Sequence, residues 1–152
     1  MKKLKTFLGF VIFALIVYFV LTLIMPKIAF SQKKALLDSY KVAKEGEDTK
    51  DMYSARYDMS KGTWESLEYD LRLKGYEVSE KTEYWTKLPN TGLFTKEELK
   101  GFEKEYVRKT TKSLPIQEKY FTEYIAVLKD ESGYKLYYEL QMKDADTEPL
   151  SK

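Results

Sequence analysis

The strongest constraint in this sequence is an apolar run close to its N-terminus. Phe7 to Met25 is almost wholly apolar, and no charged residue occurs between Lys5 and Lys27. As a helix, these 19 residues would extend roughly 28 Å, close to the hydrocarbon thickness of a bilayer. We therefore predict a short cytoplasmic tail at residues 1–6 and a transmembrane helix at residues 7–25, which makes the membrane a partner of the chain.

A cleaved secretory signal is the alternative interpretation of the same run. Lys2, Lys3 and Lys5 form a basic segment before it, and residues 29–31 offer small side chains for cleavage. The apolar run is longer than the roughly 7–15 residues of a signal core, and no polar region precedes the small residues. This length favours retention of the helix as an anchor.

The orientation of the anchor depends on opposing arguments. Five lysines follow the run closely and three precede it, a count that favours a cytoplasmic domain. Long domains are translocated largely regardless of their charge, and a short basic tail before a first apolar run is typical of an exported chain. We predict a single-pass protein of the bacterial cell envelope, with its N-terminus in the cytoplasm and its domain outside.

The composition excludes several classes of chemistry. The chain has no cysteine and no histidine, which removes disulfides, thiol nucleophiles and the commonest general base and metal ligand. Its 26 basic and 24 acidic residues are nearly balanced, and three of the basic ones stand in the first six positions. A broad basic surface for nucleic acid is therefore not expected, and we predict no cofactor and no metal site.

The residues after the apolar run predict a stalk and one small domain. Ala29, Leu36, Tyr40 and Ala43 share one face of a helix that continues from Pro26, and Gly46 would end it. We predict a helical stalk and hinge at 26–51, an extracytoplasmic α+β domain at 52–146 and a flexible tail at 147–152.

Three segments of the domain carry helix or strand patterns. Residues 63–74 alternate like a strand but have helical charge pairs and a glycine after them; we predict a helix. Residues 76–84 predict a strand that ends before Pro89. Residues 94–109 predict the clearest helix, because Thr95 and Glu98 form a capping box and Leu99, Phe102 and Tyr106 are spaced as a buried stripe.

The C-terminal part predicts a β-hairpin. Residues 134–143 alternate apolar and polar, and residues 120–128 form a partner strand that is apolar on both faces. A polar turn with a final glycine joins them at 130–133. The predicted fold class is α+β: an N-terminal transmembrane helix, then helices packed on an antiparallel sheet that ends in this hairpin.

Two short motifs match known signatures only in isolation. Residues 88–92, Leu-Pro-Asn-Thr-Gly, resemble the sorting signal of wall-anchored surface proteins, but no apolar span follows them; we predict a turn. Residues 31–34 have the Ser-x-x-Lys spacing of penicillin-recognising enzymes, without the companion elements of that family. Neither motif predicts an activity, and no catalytic residue is assigned.

The remaining candidates are carboxylates and aromatic side chains. Carboxylates are numerous enough to allow a small cell-envelope hydrolase, although the acidic cluster at 45–51 lacks calcium-loop spacing and predicts a solvated linker. Tyr137, Tyr84 and Trp85 are the candidate partner-binding residues. We place Tyr137 on the polar face of the hairpin and Tyr84 and Trp85 on opposite faces of a strand, so that one of these two is exposed, and aromatic residues dominate binding hot spots. We predict a non-enzymatic envelope protein, an accessory subunit or an immunity-type protein, that binds a protein or an envelope component.

Overall fold

One long helix leads into an antiparallel sheet of six strands. The computed structural model describes residues 2–34, 37–79, 83–113 and 118–144. This mixed α+β architecture, with an apolar N-terminal helix and a C-terminal hairpin, confirms the predicted fold class. The helices are α1 (Lys2–Lys34), α2 (Lys61–Leu73) and α3 (Lys96–Leu99), with a 3-10 helix at Glu83–Thr91; the strands are β1 (Val42–Asp48), β2 (Met52–Met59), β3 (Glu77–Ser79), β4 (Phe102–Ser113), β5 (Glu118–Asp130) and β6 (Gly133–Asp144).

The strands lie in the order β1-β2-β6-β5-β4-β3, and every neighbouring pair is antiparallel. The predicted hairpin forms its centre, paired continuously from Lys119 opposite Asp144 to Asp130 opposite Gly133. Asp130 accepts hydrogen bonds from the backbone amides of Ser132 and Gly133 in the turn. Gly133 has φ +142°, a conformation that disfavours other residues and explains the glycine at this position.

The sheet is covered on both faces. The helical face packs against α2 and the C-terminal end of α1, and the loop face packs against residues 83–100. On β5, Phe121 and Ile125 are buried on the helical face, and Tyr124 and Leu128 are buried on the loop face. The prediction that this strand is covered on both sides is confirmed.

The helix predicted at 63–74 is confirmed as α2. Ser60 caps it by accepting a hydrogen bond from the amide of Thr63, so the helix begins at Lys61, two residues before the predicted start. Gly75 follows the helix with φ +85°, as its position in the sequence predicts. The helix buries Trp64, Leu67 and Leu71 against the sheet.

The helix predicted at 94–109 is wrong in its extent. The capping box of Thr95 and Glu98 is present, but α3 ends at Leu99 and β4 begins at Phe102. The spacing of Phe102 and Tyr106 imitates a helical stripe, whereas the strand places Phe102 against the loop-face cluster and Tyr106 in the helical-face cluster. Pairing with β5 over the whole of β4 overrides the local pattern.

Two further segments differ from the sequence prediction. Of the strand expected at 76–84, β3 is present at Glu77–Ser79 and residues 80–82 lie outside the described residues. Tyr84 lies in the 3-10 helix that also contains Pro89, so the strand prediction is wrong there. This helix ends at Thr91, whose hydroxyl donates to the carbonyl of Leu88. Gly92 follows with φ +70°, so residues 88–92 form a compact turn.

Pro26 is accommodated inside α1, and the predicted helical stalk is wrong at residues 42–48. Residues 35–36 of that prediction lie outside the described residues. Residues 42–48 form β1 on the edge of the sheet instead of a helix and hinge. A Cβ on Gly46 would lie 2.4 Å from the hydroxyl of Ser54, so the glycine permits close strand contact here instead of ending a helix.

Candidate functional site

The candidate binding residue Tyr137 is buried. Only 3% of it is exposed, so the expectation of an exposed ring is wrong. The ring packs edge-on against Phe94 and Tyr124, and the hydroxyl donates to Glu139 at 2.8 Å. The alternation of apolar and polar residues along β6 predicts that Tyr137 lies on a solvated face, but residues 83–100 cover that face. That Tyr137 binds a partner stays a prediction, and the buried position of its ring does not support it.

Tyr84 and Trp85 are half-buried on the 3-10 helix and do not alternate on a strand. Tyr84 packs on Tyr124 with ring centroids 5.3 Å apart, and Trp85 packs on Phe102 at 4.1 Å. Both rings therefore attach the 3-10 helix to the sheet. Their role in partner binding also stays a prediction.

Residues 83–100, which we call the loop-face cover, are also attached to the sheet by the side chain of Arg56. Arg56 on β2 donates to Glu98 of α3 at 2.6 Å and to the carbonyl of Leu93 at 2.8 Å. Burial alone would raise the pKa of the Glu98 carboxyl. Hydrogen bonds from Arg56 and Thr95, with the Arg56 charge, outweigh burial and lower the pKa below its usual value.

A charged cluster is buried where α1 meets the helical face. Glu123 on β5 is 0% exposed at its side chain, and its Oε1 accepts hydrogen bonds from Arg108 Nη2 at 2.8 Å and Nε at 3.1 Å. Lys33, at the end of α1, reaches the same oxygen at 3.3 Å. A carboxylate with no access to water needs such partners, because an unpaired buried charge is strongly destabilising.

Two tyrosines occupy the other oxygen of Glu123. The hydroxyl of Tyr138 lies 3.2 Å from Oε2, and the hydroxyl of Tyr76 donates to the same atom. Burial and the nearby carboxylate raise the pKa of Tyr138 above its usual value, which keeps the phenol protonated as a donor. Since both oxygens are engaged, the cluster is suited to holding elements together and has no free base to offer a substrate.

The last two residues of α1 contact four strands, β5 and β6 through Lys33 and β1 and β2 through Lys34. Tyr138 of β6 donates to the backbone carbonyl of Lys33 at 3.1 Å. Lys34 pairs with Asp48 of β1 at 2.8 Å and lies over the ring of Tyr53 on β2. Ala29 and Phe30 of α1 are buried in the core cluster. The long helix is therefore fixed directly on the domain.

Two more carboxylates are buried on the loop face. Glu105 accepts a hydrogen bond from Tyr124 at 2.5 Å, and Glu139 accepts from Tyr137 and from Gln141. The second oxygen of Glu105 has no partner. Both groups lie beneath the loop-face cover, an arrangement that lends no support to a hydrolase. In the described part of the chain, no group of three or more acidic residues is placed to hold a metal ion.

The exposed apolar side chains of the domain are concentrated at one flank. Outside α1, the described residues expose three large hydrophobic side chains: Tyr69 (66%), Leu73 (69%) and Val78 (56%). Tyr69 and Leu73 are one turn apart on the outer side of α2, and Val78 follows on the edge strand β3. We call these three residues the α2–β3 patch.

The sequence contained a signal for this patch. Leu67, Tyr69, Leu71 and Leu73 alternate, and no single helical face can bury all four of them. Once the segment is a helix, Leu67 and Leu71 face the sheet, so Tyr69 and Leu73 must point outward. Choosing between helix and strand therefore decides where the exposed apolar surface lies.

Comparison with protein-family models, with curated proteins and with solved structures gives no match. What can be said of its class therefore rests on its own sequence and structure. In the described residues, α1 is the one helix long and apolar enough to cross a membrane, and its apolar window is not buried in the structure. A signal sequence near the N-terminus can meet the same criteria of length and hydropathy.

Proposed function

We propose that this chain is a single-pass membrane protein whose domain, outside the cytoplasm, binds another protein through the α2–β3 patch. The observation that carries the proposal is the concentration of the domain's exposed large apolar side chains in this patch. Tyrosine supplies much contact area at a low entropic cost, and exposed apolar surface of this kind is typical of protein interfaces.

The attachment of α1 to the domain supports an anchoring role. The salt bridges of Lys33 and Lys34 are made within the last turn of α1, about two helical turns after the apolar run ends at Met25. A domain fixed in this way keeps its patch at a defined distance from the membrane. Such placement favours a partner that is itself held in or at the envelope.

A photo-crosslinking experiment tests the binding surface. A photoreactive amino acid is introduced in place of Tyr69 or of Leu73 in the full chain, and irradiation is carried out on intact cells. Lys100, exposed directly after α3 at the opposite face of the sheet, is the matched control position. We expect one protein to be crosslinked from both patch positions and not from position 100.

The identified protein is then purified for a direct measurement. Leu73→Ser should weaken its binding at least tenfold, because an interface apolar anchor contributes about 1.4 kcal/mol or more. Lys100→Ser should leave the affinity unchanged. Equal crosslinking from all three positions, or an affinity indifferent to Leu73→Ser, would show that the patch is not the binding surface.

The orientation is tested with a single cysteine, which the cysteine-free chain makes specific. Ser132 is exposed in the hairpin turn, so Ser132→Cys is accessible in the folded protein. We expect a membrane-impermeant maleimide to label it on intact cells, and the labelled protein to stay in membranes after an alkaline wash. Labelling only after lysis would place the domain in the cytoplasm.

A further inference from the structure

The domain begins to pack on α1 almost where the apolar run ends. Met25 is the last residue of that run, and Ala29 and Phe30 are already buried in the core of the domain. Four to five helical residues correspond to a rise of about 6–8 Å. The headgroup layer of a bilayer is about 5–8 Å thick on each side of the hydrocarbon. The near end of the domain therefore lies at the level of the headgroups.

The contacts of the chain with the sheet show which end this is. Lys34 pairs with Asp48, which lies opposite Tyr53 near the start of β2. The chain then continues to Val42, which lies opposite Tyr57 near the end of β2. From Lys34 to Val42 the chain runs from the start of β2 toward its end, so the start of β2 is the end of the sheet nearer the membrane. The antiparallel register places the start of β5 and the end of β6 at this same membrane-facing end.

The membrane-facing end carries lysines that make no ion pair within the described ranges. These are Lys27 on α1, Lys50 in the turn between β1 and β2, and Lys143 near the end of β6, all of them exposed. Asp48 and Asp144 at this end are neutralised by Lys34 and Lys119. The three lysines stand against three further exposed carboxylates, Glu47, Asp51 and Glu118.

We propose that this end of the sheet rests on the lipid surface, with Lys27, Lys50 and Lys143 bound to headgroup phosphates. The inference depends on the membrane span proposed above and concerns a surface different from the α2–β3 patch. Lysines within a Debye length of anionic lipid are attracted to it, and their flexible stems reach the phosphates from the protein surface. The domain then has one preferred tilt on the membrane.

Fluorescence quenching in reconstituted vesicles tests the contact. The full chain is prepared as four single-cysteine variants, Lys50→Cys, Lys143→Cys, Ser132→Cys and Ile16→Cys, each labelled with a small fluorophore. The vesicles contain equal amounts of phosphatidylcholine and phosphatidylglycerol, with a nitroxide either at the headgroup or deep in the acyl chain. Position 132 is the control far from the membrane, and position 16 is the control within the span.

Labels at positions 50 and 143 should be quenched by the headgroup nitroxide several-fold more than the label at 132. The label at 16 should be quenched by the acyl-chain nitroxide. If 16 is quenched and positions 50 and 143 behave like 132, the span is correct and the proposed lipid contact is wrong. If 16 is not quenched by either nitroxide, the span itself is wrong.

A charge variant tests the role of the phosphates. Lys27→Gln with Lys143→Gln is combined with the label at position 50, in vesicles with and without phosphatidylglycerol. We expect the substitutions to lower headgroup quenching in the anionic vesicles toward the value in pure phosphatidylcholine. Unchanged quenching would show that the end of the sheet lies at the membrane without binding headgroup phosphates.

Discussion

Glu123 shows how a single residue can fix the N-terminal helix to the domain that follows it. Its carboxylate accepts from Arg108 and Lys33 through one oxygen and from two tyrosine hydroxyls through the other. The alternation of β5 placed Glu123 on the same face as Phe121 and Ile125. It gave no sign that the groups neutralising it come from α1 and β4, far away in the sequence. Long-range pairing of this kind is not encoded in local spacing.

Removing the Glu123 charge should destabilise the protein strongly. Glu123→Gln leaves Arg108 and Lys33 without their carboxylate, and breaking one partner of a buried pair costs about 3–5 kcal/mol. The free energy of unfolding of the full chain in detergent, from denaturant titration, measures the effect. Glu97→Gln is the control, because Glu97 pairs with Lys100 in solvent and should cost less than about 1 kcal/mol. Equal small losses would mean that the buried cluster contributes little.

Tyr137 illustrates an error of residue placement with a measurable consequence. The sequence indicated a solvated ring, but the structure buries it under the loop-face cover. We expect Tyr137→Ala to cost about 3–5 kcal/mol, as other buried aromatic truncations do, and Ile125→Ala to cost about 2–4 kcal/mol. Denaturant unfolding of both variants tests this. A loss below about 0.5 kcal/mol at Tyr137 would restore it as a surface residue.

At the scale of elements, local sequence signals predicted the positions of helix caps and turns better than the lengths of the helices and strands. The capping box of α3, the glycine after α2 and the turn of the hairpin all occur where the sequence indicates them. The extension of α3 to residue 109 failed, because Val107, Thr110 and Thr111 favour a strand and β5 provides a partner for it. Over residues 102–106 the sequence fits both a helix and a strand, and pairing with β5 stabilises the strand.

Gly101 marks the change from helix to strand and is expected to resist substitution. A Cβ there would lie 2.2 Å from the carbonyl oxygen of Lys129, which is backbone of the central hairpin. Gly101→Ala should therefore destabilise the protein by about 1–3 kcal/mol. Gly62→Ala is the matched control, since its Cβ meets nothing within 4 Å and it lies in the first turn of α2. That variant should be stabilised by about 0.5 kcal/mol.

The two glycine variants are compared by their thermal unfolding in the same detergent. A lower midpoint for Gly101→Ala together with an unchanged or higher midpoint for Gly62→Ala is the expected result. If Gly101→Ala unfolds like the parent, the close approach of the helix end to the hairpin does not constrain this position.

At the scale of the whole molecule, the sequence predicted the α+β class, the central hairpin and a central strand covered on both faces, but not which segments cover the loop face. The hairpin was visible because alternation over ten residues is a strong local signal. The roles of β1 and of residues 83–100 depend on contacts with strands far away in the chain, such as Arg56 with Glu98. The apolar N-terminal helix was the element that the sequence indicated most clearly, and its packing on the domain was the one it indicated least.

The helical and loop faces share a property that makes the whole fold sensitive to alkali. Burial, and in most cases a neighbouring carboxylate, raises the pKa of six tyrosines above its usual value near 10. In the folded protein these phenols stay neutral, whereas the unfolded chain ionises them near pH 10. The stability they contribute is present below that pH and is lost as the pH rises through the raised values. The six are Tyr57, Tyr76, Tyr106, Tyr124, Tyr137 and Tyr138.

An alkaline titration of the full chain in detergent measures this coupling. Absorbance at 295 nm reports tyrosinate, and far-ultraviolet circular dichroism reports the sheet. Six of the thirteen tyrosines should ionise only in step with the loss of the sheet signal, so that the two curves coincide at their upper end. The coincidence follows because a buried tyrosinate beside a carboxylate such as Glu123 or Glu105 is costly, and unfolding is the route by which the phenols reach water. Complete ionisation of all thirteen near pH 10, with the sheet intact, would contradict the buried positions on which both faces of the sheet depend.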